Sequence, residues 1–245
     1  MQLPRLLAIS LLALTLSSTM SCGSVTAPDP GAEPAPEVTT PDQIETDLDP
    51  PTDPPASDCE VKGENFSEDV RLARCLTEEF WTQQFTASGG TYQPISRFVE
   101  YNGDDGPACG DQAAVPNNAF YCPDGHFIAY DATWLQSLYD QLGDGAVYVV
   151  IPHEFGHSVQ NQLMSNFEFS VQAELQADCY AGGTLKGLID GDRLQAQEGD
   201  GAELMANLEA AGDPTDAWWE PGAHGTAQQR QLNFTRGLES GVGAC

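Results

Sequence analysis

Apolar residues recur at helical spacing along most of this 245-residue chain beyond residue 65. In residues 66–85 they fall three and four positions apart, which predicts an amphipathic helix with Ser67 as its N-cap. The same periodicity predicts further helices over 146–163, 168–190 and 200–211. In the tail, Thr226 and Gln229 form a capping box that predicts one more helix.

Strand signals occur only between the first two of these helices. Residues 95–101 predict a short strand, and the turn Pro123-Asp124-Gly125 predicts a hairpin of 119–122 and 126–130. A helix that begins at Asp131 or Thr133 and ends at Gly143 follows. The expected fold class is mainly α with a small β-hairpin or sheet, an α+β domain.

The first 58 residues differ in composition. Residues 1–21 have one cation, an apolar run and small polar residues, which is the layout of a secretory signal peptide and too short for a spanning helix. Cys22 then favours lipoprotein processing, with simple cleavage for secretion as the alternative. Residues 22–58 are rich in proline and acidic residues and predict a disordered tether, which leaves 59–245 as one domain.

The cysteine content and the net charge also agree with export of the protein. Six cysteines beyond Cys22 predict three disulfides in an exported domain, although fifteen pairings are possible. Cys109–Cys122 brackets one loop and is the preferred pair, and we assign Cys59–Cys75 and Cys179–Cys245 to the rest. The net charge of −28 disfavours nucleic acid and anionic lipid as partners. We therefore expect a protein exported to the cell envelope or secreted, with membrane attachment only through a lipid at Cys22.

The segment VYVVIPHEFGHSVQNQ carries the first candidate chemistry. His153 and His157 are four residues apart and share one face of a helix, so both imidazoles can bind one metal ion. Glu154 lies one position further round and can reach a water molecule on that ion, as the general base of a zinc hydrolase does. The pattern His-Glu-x-x-His therefore predicts a single Zn²⁺ site.

The next helix supplies carboxylates at the same spacing. Glu174 is the predicted third zinc ligand, and Asp178 is predicted to accept the second ring N–H of a ligand histidine. The reverse assignment, with Asp178 as the ligand, stays open because both carboxylates suit zinc. Ala173, Ala177 and Ala181 form a stripe of small residues that would let the two helices approach closely.

At this point the chain resembles a known family. HEFGHSVQNQL, ELQADCYAG, GDPTDAW and HGTAQQRQLNFTRGLESG are similar to segments of the bacterial neutral zinc metallopeptidases, and they occur in the same order. The resemblance implies a zincin-like metallopeptidase domain with Glu154 as base. The tail resembles some glutamate-type zincins in which a histidine and an arginine lie near the metal, which implies that His224 and Arg230 stabilise an oxyanion. His126 is expected to be structural.

Pro152 departs from the usual pattern of such helices, in which a small residue occupies this position. Proline removes the hydrogen bond to the carbonyl of Tyr148 and crowds it. Either the helix bends at 148–152, or it begins at Pro152, which is an acceptable first helical position.

The expected function is hydrolysis of peptide bonds by a monomeric zinc-dependent enzyme, with a peptide or protein as substrate. Two alternatives remain open: a catalytically silent, zinc-stabilised binding protein of the cell envelope, and a zinc hydrolase of a non-peptide amide. A binding protein would have no need of Glu154, which favours the enzyme.

Overall fold

The structure is a computed structural model that describes residues 59–245. The predicted signal peptide (1–21), the tether (22–58) and Cys22 lie outside the described residues and stay predictions. Within residues 59–245, no helix has the length and apolar character needed to cross a bilayer.

Six α-helices and three short strands make up the described part. The helices are α1 (Phe66–Ala87), α2 (Ala132–Leu142), α3 (Gly145–Gln162), α4 (Ser170–Asp190), α5 (Asp200–Ala210) and α6 (Ala227–Ser240). The strands are β1 (Arg97–Tyr101), β2 (Ala119–Cys122) and β3 (Phe127–Asp131). The predicted mainly helical α+β class is therefore confirmed. Two 3₁₀ turns, Gly103–Asp105 and Val242–Ala244, complete the set.

The sheet has the strand order β1-β3-β2, with β3 parallel to β1 and antiparallel to β2. All five residues of β3 are buried, as the central strand of a covered sheet requires. β2 lies at an edge of the sheet. The predicted hairpin is thus present, and β1 pairs with β3 as a parallel strand, which the sequence does not predict.

The starts of α1 and α2 follow from side-chain caps. The first helix is capped by Asn65, whose side chain accepts the backbone N–H of Glu68, so the prediction of Ser67 as the cap was wrong by two positions. Asp131 ends β3 and caps α2 by accepting the N–H of Trp134. Burial alone would raise the pKa of Asp131, but four backbone hydrogen bonds, the first from Asn117, lower it instead. One ionised carboxylate therefore joins the sheet to the helical layer.

The helix α3 is the centre of the fold, and it runs through Pro152. It begins seven residues earlier, at Gly145, so the alternative in which the helix begins at Pro152 was wrong. Proline still leaves the carbonyl of Tyr148 without its helical donor. Nearly every residue from Gly145 to Gln160 is buried, and this packing against neighbouring elements offsets the weakened turn.

Small residues allow the ligand-bearing helices to approach closely. Gly156 of α3 faces Ala177 of α4, and a methyl group at 156 would lie 3.0 Å from the Cα atom of Ala177. The predicted role of Ala177 in a close helix contact agrees with this geometry. Glu174, one turn earlier on α4, is thereby brought beside the histidines of α3.

The packing of α4 against α6 is closer still. A methyl group on Gly237 would overlap the carbonyl oxygen of Cys179, and one on Gly182 would overlap the carbonyl oxygen of Phe234. Because one glycine of each helix has no side chain at this contact, the backbones of α4 and α6 pack directly against each other. This explains why α4 continues through the Gly182-Gly183 pair.

Three disulfides join Cys59–Cys75, Cys109–Cys122 and Cys179–Cys245, with Cα–Cα distances of 5.3, 5.5 and 5.6 Å. These are the three pairs preferred from the sequence. The disulfide Cys179–Cys245 encloses both α5 and α6. Its first cysteine directly follows Asp178 in the sequence.

Replacing Gly237 by alanine should destabilise the protein by at least about 2 kcal/mol, because the added methyl group meets main-chain atoms that cannot rotate away. Thermal unfolding followed by circular dichroism measures the effect. Gly201 is the matched control: it lies in α5 with no atom within 4 Å of an added methyl group. Gly201→Ala should stabilise the helix by about 0.5–1 kcal/mol. Equal stability of Gly237→Ala and the parent would contradict the proposed packing.

Candidate metal centre

The three predicted zinc ligands converge on one point between α3 and α4. The Nε2 atoms of His153 and His157 are 3.1 Å apart. Glu174 places one carboxylate oxygen 3.2 Å from the Nε2 atom of His153 and the other 3.4 Å from that of His157. Two histidines one turn apart on one helix and a glutamate on the next helix thus present three ligand atoms to a common centre.

These distances fit a tetrahedral zinc ion. Ligand bonds of about 2.0–2.1 Å at tetrahedral angles place neighbouring ligand atoms about 3.3 Å apart. The separation of the two Nε2 atoms lies close to that value, and each of these nitrogens has one carboxylate oxygen of Glu174 at 3.2 or 3.4 Å. Two imidazoles and one carboxylate are also a donor set that catalytic zinc sites use, with a fourth position left for water. The residues present therefore fit the ion.

Hydrogen bonds on the far side of each ring fix the tautomers. The Nδ1 atom of His153 lies 2.8 Å from Oδ1 of Asp178, and that of His157 lies 2.9 Å from Oε1 of Gln160. Both partners are acceptors, so each Nδ1 atom carries the proton and donates it. The two Nε2 lone pairs then face each other and a carboxylate. Such an arrangement calls for a cation at its centre.

Asp178 is completely buried, and two cationic groups stabilise its charge. Arg230 donates from Nε to Oδ2 at 2.9 Å and from Nη2 to Oδ1 at 2.8 Å, which is a bidentate pair. Burial alone would raise the pKa of Asp178, but Arg230 and then His153 outweigh burial and lower the pKa. Asp178 therefore remains an ionised acceptor for His153, as predicted for the residue that orients a ligand.

Arg230 has a contact that the sequence did not predict. Its guanidinium also donates from Nη1 to the carbonyl of Ala211, so one side chain connects α6, α4 and the end of α5. Two of its N–H groups bond the carboxylate of Asp178, and a third bonds the carbonyl of Ala211. Arg230 therefore holds Asp178 in position. Arg230 also lines the cavity at the candidate centre, and its predicted oxyanion role stays a prediction.

The charged groups of the centre shift one another's pKa values. Burial alone would lower the pKa of His153, but Asp178 and then Glu174 outweigh it and raise the pKa to about 10. Burial alone would raise the pKa of Glu174, but His153 and then His157 lower it to about 2. The centre is thus an anionic, largely buried environment that favours a cation.

A cavity of about 700 Å³ opens over the three ligands. Glu154 is among the residues that line it, and it is only 7% exposed. One wall is apolar and consists of Trp134 and Leu138 of α2 with Val149 and Val150 of α3. The edge strand β2 forms another wall.

His224 also lines this cavity, and its predicted role in stabilising an oxyanion stays a prediction. It lies on the loop before α6, which Asp213 stabilises by accepting the backbone N–H groups of His224 and Gly225 at 2.7 and 2.9 Å. The Nδ1 atom of His224 is 3.5 Å from the other carboxylate oxygen of Asp213. Its side chain is 54% exposed, so it remains accessible to a ligand at the cavity mouth.

His126 lies apart from the centre. Its ring bonds Tyr121 Oη through Nδ1 at 2.8 Å and the carbonyl of Gln93 through Nε2 at 3.0 Å. Its backbone has a positive φ of 50°, in the turn between β2 and β3. These contacts give it the structural role expected from the sequence.

Two residues with functional contacts were missed from the sequence. Gln160 bonds His157, and its position three residues later on the same helix could have indicated this. Asn207 lines the cavity from α5, and its buried Oδ1 atom has no hydrogen-bond partner among residues 59–245. No spacing relates Asn207 to the other site residues, so the sequence alone held no signal for it.

Zinc affinity should fall by about tenfold for each unit by which the pH decreases between about pH 8 and pH 6.5. The reason is that His153 retains a proton up to a pKa of about 10 without metal, whereas zinc binds the unprotonated nitrogen. Competition against a chromophoric chelator between about pH 6.5 and pH 8 measures the slope. His153→Ala should bind zinc weakly and with a smaller slope. An affinity independent of pH in the parent would contradict this geometry.

Comparison with known proteins agrees with the geometry. YpfJ, an uncharacterized protein of Escherichia coli K12, is 34% identical over 194 residues, which cover 67% of this chain and 65% of the relative. The uncharacterized protein Rv2575 of Mycobacterium tuberculosis H37Rv is 30% identical over 174 residues, 58% of each chain. This chain thus spans less than two thirds of the length of these relatives. No solved structure matches it.

The family described as putative neutral zinc metallopeptidase matches residues 49–245, which include every element of the described fold. The match also includes all three ligands of the candidate centre. On the sequence match and on the compatible ligand geometry together, this chain belongs to that zinc metallopeptidase family.

Proposed function

We propose that this protein is an exported, zinc-dependent peptidase that uses Glu154 as general base. The observation that carries the proposal is the convergence of His153, His157 and Glu174 within 3.1–3.4 Å, with Glu154 on the wall of the same cavity. Membership of the zinc metallopeptidase family supports the reaction class.

In this proposal, residues of the chain have separate roles in hydrolysis. When bound, zinc supplies Lewis acidity, which polarises the scissile carbonyl and makes a water molecule more acidic. Glu154 takes the proton of the attacking water and returns it to the amine that leaves. His153 and His157 keep their Nε2 lone pairs directed at one point because Asp178 and Gln160 bond the other ring nitrogens.

The shape of the cavity suits an extended peptide. Within residues 59–245, β2 pairs with a strand on one side only, and its residues from Ala119 to Tyr121 line the cavity. A substrate can therefore add to this edge as a further strand through main-chain hydrogen bonds. The apolar wall of Trp134, Leu138 and Val149 would then receive a bulky apolar side chain beside the scissile bond.

Asn207 is suited to the substrate backbone. Its Nδ2 atom donates to the carbonyl of Glu203 at 2.9 Å, which leaves Oδ1 as the free group. A buried acceptor without a partner is costly, and rotation of this side chain toward the cavity would let a peptide N–H satisfy it. We assign Asn207 the role of accepting such an N–H group.

Three disulfides are compatible with an oxidising compartment and so support export. We propose that the mature enzyme is a monomer attached to the envelope through a lipid on Cys22, or secreted if Cys22 is only a cleavage position. Incorporation of a labelled fatty acid into the parent, but not into Cys22→Ser, distinguishes the two.

Glu154→Gln should retain zinc and lose hydrolysis by at least about a hundredfold, because the amide cannot accept the proton of water. The assay is cleavage of a peptide library by the full chain, with metal content measured on the same sample. Glu239→Gln, an exposed change of the same type on α6, should leave activity unchanged. Full activity in Glu154→Gln would refute the mechanism, and a zinc-loaded but inactive parent would favour the envelope binding protein.

Asn207→Leu should raise KM for peptides by about tenfold, with a smaller effect on kcat, because a hydrogen bond to the substrate is lost. Asn233→Leu is the matched control. Asn233 makes the same bond to the carbonyl four residues earlier, at 2.8 Å, on a helix face that is not part of the cavity lining. Equal KM values for the two variants would exclude the assigned contact.

A further inference from the structure

Gln160 makes three hydrogen bonds at the junction of α3 and α4. Its Oε1 atom accepts from Nδ1 of His157 at 2.9 Å. Its Nε2 atom donates to the carbonyl of Ala173 at 2.7 Å and is 3.3 Å from Oε1 of Gln176. A single amide therefore contacts a predicted zinc ligand on one side and the neighbouring helix on the other.

The orientation of this amide follows from its partners. Both neighbours on the α4 side are oxygen atoms, so the NH₂ group must face them and the oxygen must face His157. The imidazole of His157 is then obliged to donate from Nδ1. Its Nε2 lone pair is thereby directed at the point where the other ligands converge.

Burial makes the contact specific. Gln160 is 6% exposed, so a water molecule cannot replace the amide without displacing neighbouring atoms. The carbonyl that it binds belongs to Ala173, the residue directly before Glu174. The same side chain thus sets the ring of one ligand and the position of the backbone that carries another.

We propose that Gln160 is a positioning residue for zinc, which holds His157 in the ligating tautomer and aligns it with Glu174. It does for His157 what Asp178 does for His153, but as a neutral amide. The two histidines consequently have supports of different charge: an ionised carboxylate paired with Arg230, and an amide that adds no charge to the site. The inference rests on the zinc site of the proposed function but not on peptidase activity.

The experiment measures zinc binding by the purified full chain. Gln160→Met keeps the size of the side chain but removes both the acceptor and the donor. It should weaken zinc binding about 10- to 100-fold in competition with a chromophoric chelator, as the loss of a support to a ligand histidine does. The absorption spectrum of the Co²⁺-substituted variant should also change, because the geometry at His157 relaxes.

Two further variants separate positioning from helix attachment. Gln160→Glu keeps an acceptor for His157 while losing the donor to Ala173, and it should bind zinc more tightly than Gln160→Met. Gln176→Met removes a partner of the donor and a 3.4 Å bond to the carbonyl of Cys245, but leaves the acceptor intact. It should bind zinc within about twofold of the parent.

The outcomes are distinct. Parent-like affinity and an unchanged Co²⁺ spectrum in Gln160→Met would overturn the proposal. So would equal weakening in Gln160→Glu and Gln176→Met, since that pattern reports only the attachment of α3 to α4. If Gln160→Met does not fold by circular dichroism, the comparison of the other two variants decides. Failure of the parent itself to bind zinc would instead refute the proposed function.

Discussion

The buried carboxylate of Asp178 is the interaction on which the site and the surrounding helices depend. It lies on α4, binds Arg230 of α6 through two hydrogen bonds, and accepts a third from His153 of α3. Arg230 extends this connection to the end of α5. A charge in this position is tolerable only while all of its partners are in place. Four helices are therefore fixed relative to one another by the same group that orients a zinc ligand.

Packing and electrostatics cooperate at this point. The hydrogen bonds of Asp178 require α3, α4 and α6 to lie unusually close together, and small residues such as Gly156 and Gly237 make that approach possible. The close approach in turn excludes water, which strengthens the interactions between the remaining charges. This combination accounts for opposite pKa shifts in neighbouring groups, upward for His153 and downward for Glu174.

The sequence predicted the helices well because their apolar periodicity is long and regular. A spacing of one helical turn also indicated that His153 and His157 share one helix face and that Glu174 and Asp178 share another. The sequence could not predict which residue caps α1, since Ser67 and Asn65 are both chemically suitable and only packing decides. Contacts between distant segments were also invisible. The bidentate pair of Arg230 and Asp178 joins residues 52 positions apart, and nothing in local spacing indicates that they meet.

The main-chain contact between α4 and α6 has a consequence for how the protein tolerates sequence change. A methyl group on Gly237 or Gly182 would meet backbone atoms of the opposite helix, so no neighbouring side chain could be shortened to compensate. Relief requires a shift of α4 and α6 relative to each other, and these two helices carry Asp178 and Arg230. A substitution at either glycine would therefore also change the geometry of the candidate metal centre, although neither glycine is part of it. A compensating mutation would have to restore the position of a helix, which few single substitutions can do.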